Sequence, residues 1–304
     1  MFPVVRVNSR LALSLESLGT KRKFWFRNGE RRVLFKAEER GTGEDWAEKI
    51  ACELCTQIGL PHIHYELAVE SDGEKPGVVC ETCAPPPTAL VLGNQLLLAL
   101  DPEYPALDAR KFKVRAHTVD AVAEALAHLK PPPPPWTTGM PEGIATALDV
   151  FTGYVMLDAW VANQDRHHEN WGVLLIGDVL YLAPTFDHGA AMARNLKDEE
   201  RHERLITKDM GRQVGPFVRR ARSAFYADAA VTRPMTTVEA WRGFAAKAPA
   251  AATLWLARLA SIDQSIIRRL LAEVPPNRMS KVCRDFTASL LVENQRRLLA
   301  NEEE

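Results

Sequence analysis

The sequence lacks the features that mark membrane-spanning, secreted and strongly basic proteins. No apolar stretch reaches the roughly 18 residues that a transmembrane helix needs without meeting a charged residue. The first residues lack the basic start and the small-residue cleavage motif of a signal peptide. Lysine plus arginine number 38 against 39 for aspartate plus glutamate, so the formal net charge of −1 creates no overall field toward nucleic acid or an anionic membrane. We therefore expect a protein that binds neither directly.

Cysteine is also scarce in this chain. Five cysteines among 304 residues are too few for a disulfide framework, which favours a location in the reducing cytoplasm, with a secreted effector as the alternative. What is present is an ordinary globular composition, 46% hydrophobic and 25% charged. At this length we expect one bilobal unit or two tightly packed domains.

The first third of the chain is predicted to be rich in strands. Helical spacing of apolar residues predicts one helix at Glu44–Ile58, which Gly59 and Pro61 end. The turn signal Asn28-Gly29 indicates a hairpin between the second and third strands. The predicted strands are Pro3–Val7, Lys23–Arg27, Arg32–Ala37, His62–Val69 and Gly77–Glu81.

The remainder of the chain is predicted to be mostly helical. A short hairpin is expected around Gly177-Asp178, and the proline run at 131–135 is interpreted as a surface connection. The chain thus consists of a small mixed α/β part and a larger helical part, with the boundary between residues 82 and 117. The predicted elements here are a helix at Val119–Leu129 capped by Thr118, a helix at Pro141–Val161, hairpin strands at Trp171–Ile176 and Val179–Leu182, and a last helix at Arg278–Ala300.

The residues that indicate chemistry lie on either side of this second hairpin. Asp165 and Asn170 are five positions apart on the loop before it, and Asp187 follows it in the sequence Asp187-His188-Gly189. A hairpin that reverses the chain can bring these side chains into one pocket. An amide oxygen and a carboxylate suit Mg²⁺, and the remaining carboxylate can accept a proton from an attacking hydroxyl. Phosphoryl transfer needs this combination, because it depends mainly on positioning and charge neutralisation.

Phosphoryl transfer also needs a cation for the phosphates, and Lys36 is the candidate. It lies on a strand with apolar neighbours, so its ammonium group requires a partner, which Glu48 on the following helix can supply. The preceding segment could place a hydroxyl, backbone N–H groups and cations over phosphates. Its relevant residues are Ser17, Gly19, Thr20 and Lys21.

The order of these motifs resembles the protein-kinase-like fold, and the variant Asp165-Arg166-His167-x-x-Asn170 is similar to that of HipA-like serine/threonine kinases. The separation of Lys36 from Asp165 also resembles that family. Two further stretches look like the family's hinge region and its carboxy-terminal helix. They are Gly77-Val78-Val79 with 92–97, and Val274-Pro275-x-x-Arg278-Met279-Ser280 followed by Phe286 and Asn294.

The resemblance implies an α+β, bilobal kinase fold with a small antiparallel-sheet N-lobe at residues 1–82, a hinge region at 83–117 and a larger helical C-lobe at 118–304. It implies an ATP- and Mg²⁺-dependent serine/threonine protein kinase that acts on a protein substrate, as a toxin or effector kinase with an antitoxin partner. Few residues precede the phosphate loop, so we expect a minimal kinase core without the family's N-terminal extension.

The resemblance also implies roles for individual residues. Asp165 would be the catalytic base, Asn170 and Asp187 would hold the metal, and His167 would be a structural loop residue. Ser14 and Ser17 are the candidates for autophosphorylation, since the family's serine position is occupied here by Glu16. The ATP-binding set would be Lys36, Glu48, Ser17, Gly19, Thr20, Lys21, Glu81 and Cys83, the last two through backbone groups that meet the adenine.

Two other classes of function stay open at this stage. Asp-Arg-His-x-x-Asn also fits phosphoinositide kinases, so a lipid or small-molecule substrate is an alternative. A zinc-stabilised binding module or a pseudokinase is the other, because Cys52-x-x-Cys55 and Cys80-x-x-Cys83 resemble a zinc motif. We interpret the cysteines as buried hydrophobic residues and the alternating pair His62 and His64 as a half-exposed strand face.

Overall fold

The computed structural model describes residues 1–15, 22–38, 41–72, 74–107 and 113–300. The predicted α+β, bilobal fold class is confirmed, with a β-rich lobe followed by a helical lobe. The strands are β1 (Val4–Val7), β2 (Ser14–Leu15), β3 (Lys23–Asn28), β4 (Arg31–Ala37), β5 (Tyr65–Glu70), β6 (Lys75–Glu81), β7 (Ala89–Leu92), β8 (Gly172–Ile176) and β9 (Val179–Leu182). The helices are α1 (Glu44–Ile58), α2 (Gly93–Leu100), α3 (Val119–Ala127), α4 (Ala147–Val161), α5 (Asp198–Ile206), α6 (Val214–Val218), α7 (Thr237–Lys247), α8 (Pro249–Ala260), α9 (Gln264–Glu273) and α10 (Lys281–Ala300).

The larger sheet has the strand order β1-β5-β6-β4-β3-β2. Its pairs are antiparallel except that β1 runs parallel to β5, so the sheet is mixed where an antiparallel one was expected. Phe24, Phe35 and Val79 pack on one face of this sheet. Leu34, Val78 and Cys80 point to the other face, so the alternation of buried residues along β4 and β6 fixes their register.

Local signals explain where several elements begin and end. The β3–β4 hairpin turns at Gly29 and Glu30, and Gly29 has a φ of +60°, which favours glycine. α1 has the predicted bounds and ends at Gly59, whose N–H bonds Cys55 O and Thr56 O. A Cβ at Gly59 would lie 2.0 Å from Gly139 O, so only glycine fits this close approach.

Several predicted boundaries were wrong. α4 begins at Ala147 rather than Pro141, because the Thr146 hydroxyl and the Asp149 carboxylate form reciprocal capping bonds there. The fourth predicted strand begins at Tyr65, and His62 forms only an isolated bridge to Thr185. α10 begins at Lys281 rather than Arg278.

Two structural features position the two sides of the cleft. Strand β7, which periodicity did not reveal, pairs with β8 and so joins the segment after β6 to the β8–β9 hairpin. α4 is buried on nearly every side, and its carboxyl end leads directly into the Asp165 loop. α10 holds α4 in place, since Trp160 Nε1 donates to Leu291 O and Asn294 Nδ2 donates to Trp160 O.

Candidate active site

The structure brings Lys36, Glu48 and Asp187 together, and we call these three residues the cleft cluster. Lys36 lies on β4 between β3 and β6. Its Nζ is 3.0 Å from Glu48 Oε1, 3.2 Å from Asp187 Oδ1 and 3.4 Å from the Tyr65 hydroxyl oxygen. One ammonium group therefore connects the sheet, α1 and the segment that follows β9.

The lysine of the cleft cluster stays charged despite its burial. Its side chain is only 14% exposed, and burial by itself lowers the pKa of Lys36. The carboxylates of Asp187 and Glu48 outweigh that effect, and the net result is a pKa well above the usual value. The ammonium form is thus the one present at neutral pH.

Glu48 has a second task besides pairing with Lys36. Its Oε2 accepts a hydrogen bond of 2.7 Å from the backbone N–H of His188. Because Glu48 lies in the second turn of α1, the helix sets the position of the segment that carries Asp187.

The loop between α4 and β8 holds Asp165 and Asn170 close together. Asn170 Nδ2 donates to the carbonyl oxygen of Asp165 at 2.6 Å. Since the amide nitrogen is used in this bond, the Asn170 side-chain oxygen stays available as a ligand. His167 Nδ1 accepts the N–H of Glu169, so the ring proton sits on Nε2, which is 3.5 Å from Asp165 Oδ1. His167 therefore orients the Asp165 carboxylate.

Asp187 has a constrained backbone. Its φ of +62° lies in the left-handed region, which residues other than glycine seldom adopt. The side chain is 37% exposed and reaches the cleft. Unusual backbone conformations of this kind concentrate at functional sites.

Beneath the loop lies a second set of polar residues, Asp158, Arg166 and His188, which we call the buried brace. Arg166 is 1% exposed and donates to both carboxylate oxygens of Asp158, at 2.7 and 2.8 Å. It also donates to Asn170 O and to His188 Nε2. Burial first, and then Arg166, lower the pKa of His188 well below its usual value, so the ring is a neutral acceptor.

Motif order did not identify the buried brace. Arg166 belongs to the Asp-Arg-His-x-x-Asn motif, but neither its role nor that of Asp158 follows from the motif. A signal was present, because an aspartate in an apolar helix must find a buried cation. Tyr65 was missed as a contact of Lys36 for a different reason, since only the pairing of β5 with β6 brings it near.

The cleft between the lobes encloses a cavity of about 650 Å³. Both groups of predicted residues line it, the ionic residues and the Glu81–Cys83 segment. Further cations and apolar side chains also face it. The cavity-lining residues include Lys23, Arg32, Lys36, Glu48, Val78, Glu81, Thr82, Cys83, Leu90, Leu92, Asp165, His167, Asn170, Phe186, Asp187 and Arg194.

The remaining predicted site residues are Ser14 and four residues of the predicted phosphate loop. Ser14 is exposed on β2, where it pairs with Trp25. The phosphate-loop residues lie outside the described part of the chain, and their predicted roles stay predictions. They are Ser17, Gly19, Thr20 and Lys21.

The cysteines are free thiols. Burial raises the pKa of Cys80 to about 12 and that of Cys83 to about 11, so neither is a nucleophile at neutral pH. Among the residues that the structure describes, the group with metal-ligand geometry consists of Cys52, His62 and His64 rather than four cysteines. None of the described helices combines the length and apolar character needed to cross a bilayer.

No protein-family model and no curated protein sequence matches this chain. Solved structures do match. The proinflammatory kinase CtkA of Helicobacter pylori superposes with a TM-score of 0.74 at 16% identity, covering 98% of this chain and 96% of that protein. HipA of Shewanella oneidensis MR-1, solved with HipB and operator DNA, superposes with a TM-score of 0.58 at 12% identity, covering 95% of this chain and 68% of that protein. The resemblance expected from the motifs is thus confirmed at the level of the fold: this chain has the fold of HipA-like kinases.

Proposed function

We propose that this protein transfers the γ-phosphoryl group of ATP to a serine or threonine hydroxyl of a protein substrate. The observation that carries this proposal is the convergence of the cleft cluster with Asp165 and Asn170 around one cavity. A volume of about 650 Å³ suits a nucleotide. The apolar side chains Val78, Leu90 and Leu92 at its wall suit an adenine ring, with Glu81 and Cys83 contributing backbone groups.

The donor set also fits a magnesium ion. Asn170 offers an amide oxygen and Asp187 a carboxylate, which are the hard oxygen ligands that Mg²⁺ takes in proteins. In this proposal these two residues hold the ion, whose chemistry is to neutralise charge on the phosphates. Lys36 binds the α- and β-phosphates, and Glu48 holds Lys36 in position for that contact.

Asp165 has the properties of a general base. It sits at the cavity with one carboxylate oxygen near His167, and its neighbour Asn170 is hydrogen-bonded to its backbone. In the proposed reaction Asp165 orients the substrate hydroxyl and accepts its proton as the oxygen attacks phosphorus.

The experiment that tests the proposal is incubation of the purified chain with labelled ATP and Mg²⁺, together with a host lysate as a source of protein acceptors. We expect Asp165→Ala to bind nucleotide nearly as well as the parent protein and to lose about 10²–10⁴-fold in kcat. Full turnover in this variant would contradict the assignment. Label recovered in lipid or small molecules rather than in protein would favour the alternative substrate classes.

Asp187→Ala separates binding from chemistry. Because Asp187 is proposed to hold the metal, this variant should lose affinity for Mg·ATP itself, measured by isothermal titration with a non-hydrolysable analogue. Glu199→Ala, an acidic residue in the first turn of α5, is a matched control and should bind as the parent does. Equal affinity in Asp187→Ala and this control would remove Asp187 from the metal site.

Partner and autophosphorylation remain part of this proposal. The matched HipA structure contains HipB, and an antitoxin-type partner for this chain would fit that likeness. Ser14 is exposed and accessible to modification, and phosphosite mapping in the same assay tests it together with Ser17.

A further inference from the structure

A second group of ligand-type side chains lies where α1 faces the connection into β5. It consists of Cys52, His62 and His64, and one ligand atom from each, the sulfur and one ring nitrogen per histidine, lies within 4.8 Å of the other two. Cys52 is on α1, and the two histidines are on the segment between α1 and β5. From this geometry we infer that the Cys52–His62–His64 cluster binds one Zn²⁺ ion.

The interatomic distances suit such an ion. Cys52 Sγ and His64 Nδ1 are 3.6 Å apart. With Zn–S and Zn–N bonds of about 2.3 and 2.0 Å, a tetrahedral site separates sulfur from nitrogen by about 3.5 Å. The widest pair in the cluster must close by no more than about 1.5 Å to reach the same geometry.

Both histidine rings are oriented as metal ligands usually are. His62 Nδ1 is 2.7 Å from Leu60 O, and a carbonyl can only accept, so the proton is on Nδ1 and Nε2 keeps its lone pair. His64 Nε2 is 2.7 Å from the carboxylate of Glu66, which leaves Nδ1 free to face Cys52. A metal-bound histidine typically donates its other N–H to a carbonyl or a carboxylate in this way.

The ligand set selects the class of metal. One thiolate and two imidazoles favour Zn²⁺ and similar transition-metal ions over Mg²⁺, which prefers oxygen ligands. Three protein ligands leave a fourth position for water, and His64, at 59% exposure, gives the ion a route from solvent. Binding exchanges the Thr56–His62 contact of 3.2 Å for a coordination bond and replaces the thiol proton of Cys52. Burial raises the pKa of the Cys52 thiol to about 12, so the ion must displace that proton to solvent, and the backbone N–H of Tyr65, which donates to Cys52 Sγ, favours the resulting thiolate.

An ion at this position would restrain two residues that contact Lys36, Glu48 and Tyr65. Cys52 is one helical turn beyond Glu48 on α1, and His64 immediately precedes Tyr65, so two of the three ligands lie close in the chain to a contact of the Lys36 ammonium group. The ion would therefore fix α1 against β5. This structural effect is independent of phosphoryl transfer.

Cobalt titration tests the site, because Co²⁺ bound to a thiolate absorbs in the near ultraviolet. The reduced, metal-free full chain should bind one equivalent of Co²⁺ with this band, and Zn²⁺ should displace it. We expect Cys52→Ser to abolish the band and His64→Ala to weaken binding at least about tenfold. The matched controls Cys55→Ser, Cys283→Ser and His128→Ala should retain it, as should Asp187→Ala at the cleft.

The inference would be overturned by the absence of a thiolate band in the parent protein, by a band that survives Cys52→Ser, or by a band that depends equally on Cys55. If Cys52→Ser does not fold, His64→Ala decides, because its side chain is exposed and its removal should leave the circular dichroism spectrum unchanged. Parent-like Co²⁺ affinity in that variant also refutes the site. As a second readout, Zn²⁺ should raise the thermal midpoint of the parent protein but not that of His64→Ala. These measurements involve no ATP, so they stand apart from the kinase proposal.

Discussion

The cleft cluster and the buried brace use similar residues for different purposes. In the cleft cluster, Lys36 contacts two carboxylates, and the side chain of Asp187 is 37% exposed at the cavity. In the buried brace, Arg166 is 1% exposed, and its Nε, Nη1 and Nη2 atoms all bond protein acceptors. The first arrangement has an open side that a ligand can reach, whereas the second is closed.

This difference separates binding from positioning. A planar guanidinium with fixed donor directions defines the geometry of its partners, so the buried brace sets where the Asn170 backbone and the His188 ring lie. A compact ammonium group tolerates exchange of one carboxylate for a phosphate. Charge at the cleft should therefore matter mainly for activity, and charge in the buried brace mainly for stability.

Arg166→Met gives the largest expected change in stability. The substitution leaves the Asp158 carboxylate buried without its cation, and removing one partner of a buried pair costs about 3–5 kcal/mol. Urea unfolding at neutral pH measures the loss. Arg220→Met, at an exposed arginine just beyond α6, is the matched control and should be nearly neutral. Equal unfolding free energies for the two variants would show that the buried brace does not stabilise the fold.

Lys36→Met should reduce activity more than stability. Its unfolding free energy should fall by less than that of Arg166→Met, because Asp187 reaches solvent and Glu48 keeps the His188 N–H. A lost charged contact to the nucleotide phosphates is worth about 1.5–3 kcal/mol, or roughly 10- to 100-fold in kcat/KM. Labelled-ATP kinetics measure this effect, with Lys75→Met at the exposed start of β6 as the control. If Lys36→Met were severely unstable but had the kcat/KM of the parent protein, Lys36 would serve stability rather than activity.

The sequence predicted the secondary structure and the residues of the cleft better than it predicted the buried residues that hold them in position. α1 has its predicted bounds, because its helical periodicity and the stop at Gly59 are both local signals. Lys36, Glu48 and Asp187 were expected to meet, and they do. The approach of residues 151 positions apart was inferred only from motif order, since no local pattern encodes it.

What the sequence did not predict depends on long-range pairing. The parallel alignment of β1 with β5 and the strand β7 are decided by partners far away in the chain. The same holds for Arg278, which bonds Asp45 and Ala68 O instead of starting α10. The sequence did not connect Cys52 with the two histidines, because a regular strand from His62 gives His62 no reason to approach α1, whereas in the structure His62 contacts Thr56 on that helix.

The effect that is smallest at neutral pH, and that grows only as the pH falls, concerns His117, a histidine that is 1% exposed. Burial, and then the nearby His168, His167 and Arg166, lower the pKa of His117 to about 3, although its bond to Ala224 O acts in the opposite direction.

An unfolded chain binds this proton near pH 6.5, so the neutral ring stabilises the fold fully above that pH. The contribution is lost as the pH falls from about 6.5 toward 3, by up to about 1.4 kcal/mol per pH unit. His117→Gln cannot titrate, so its unfolding free energy should fall less steeply than that of the parent protein between pH 6 and 4. The carboxylates titrate in both proteins, so the difference between the two curves measures the proton of His117 alone. If the unfolding free energies of the two proteins fell equally with pH, His117 would be protonated in the native state at these pH values. The buried surroundings of His117 would then tolerate a positive charge.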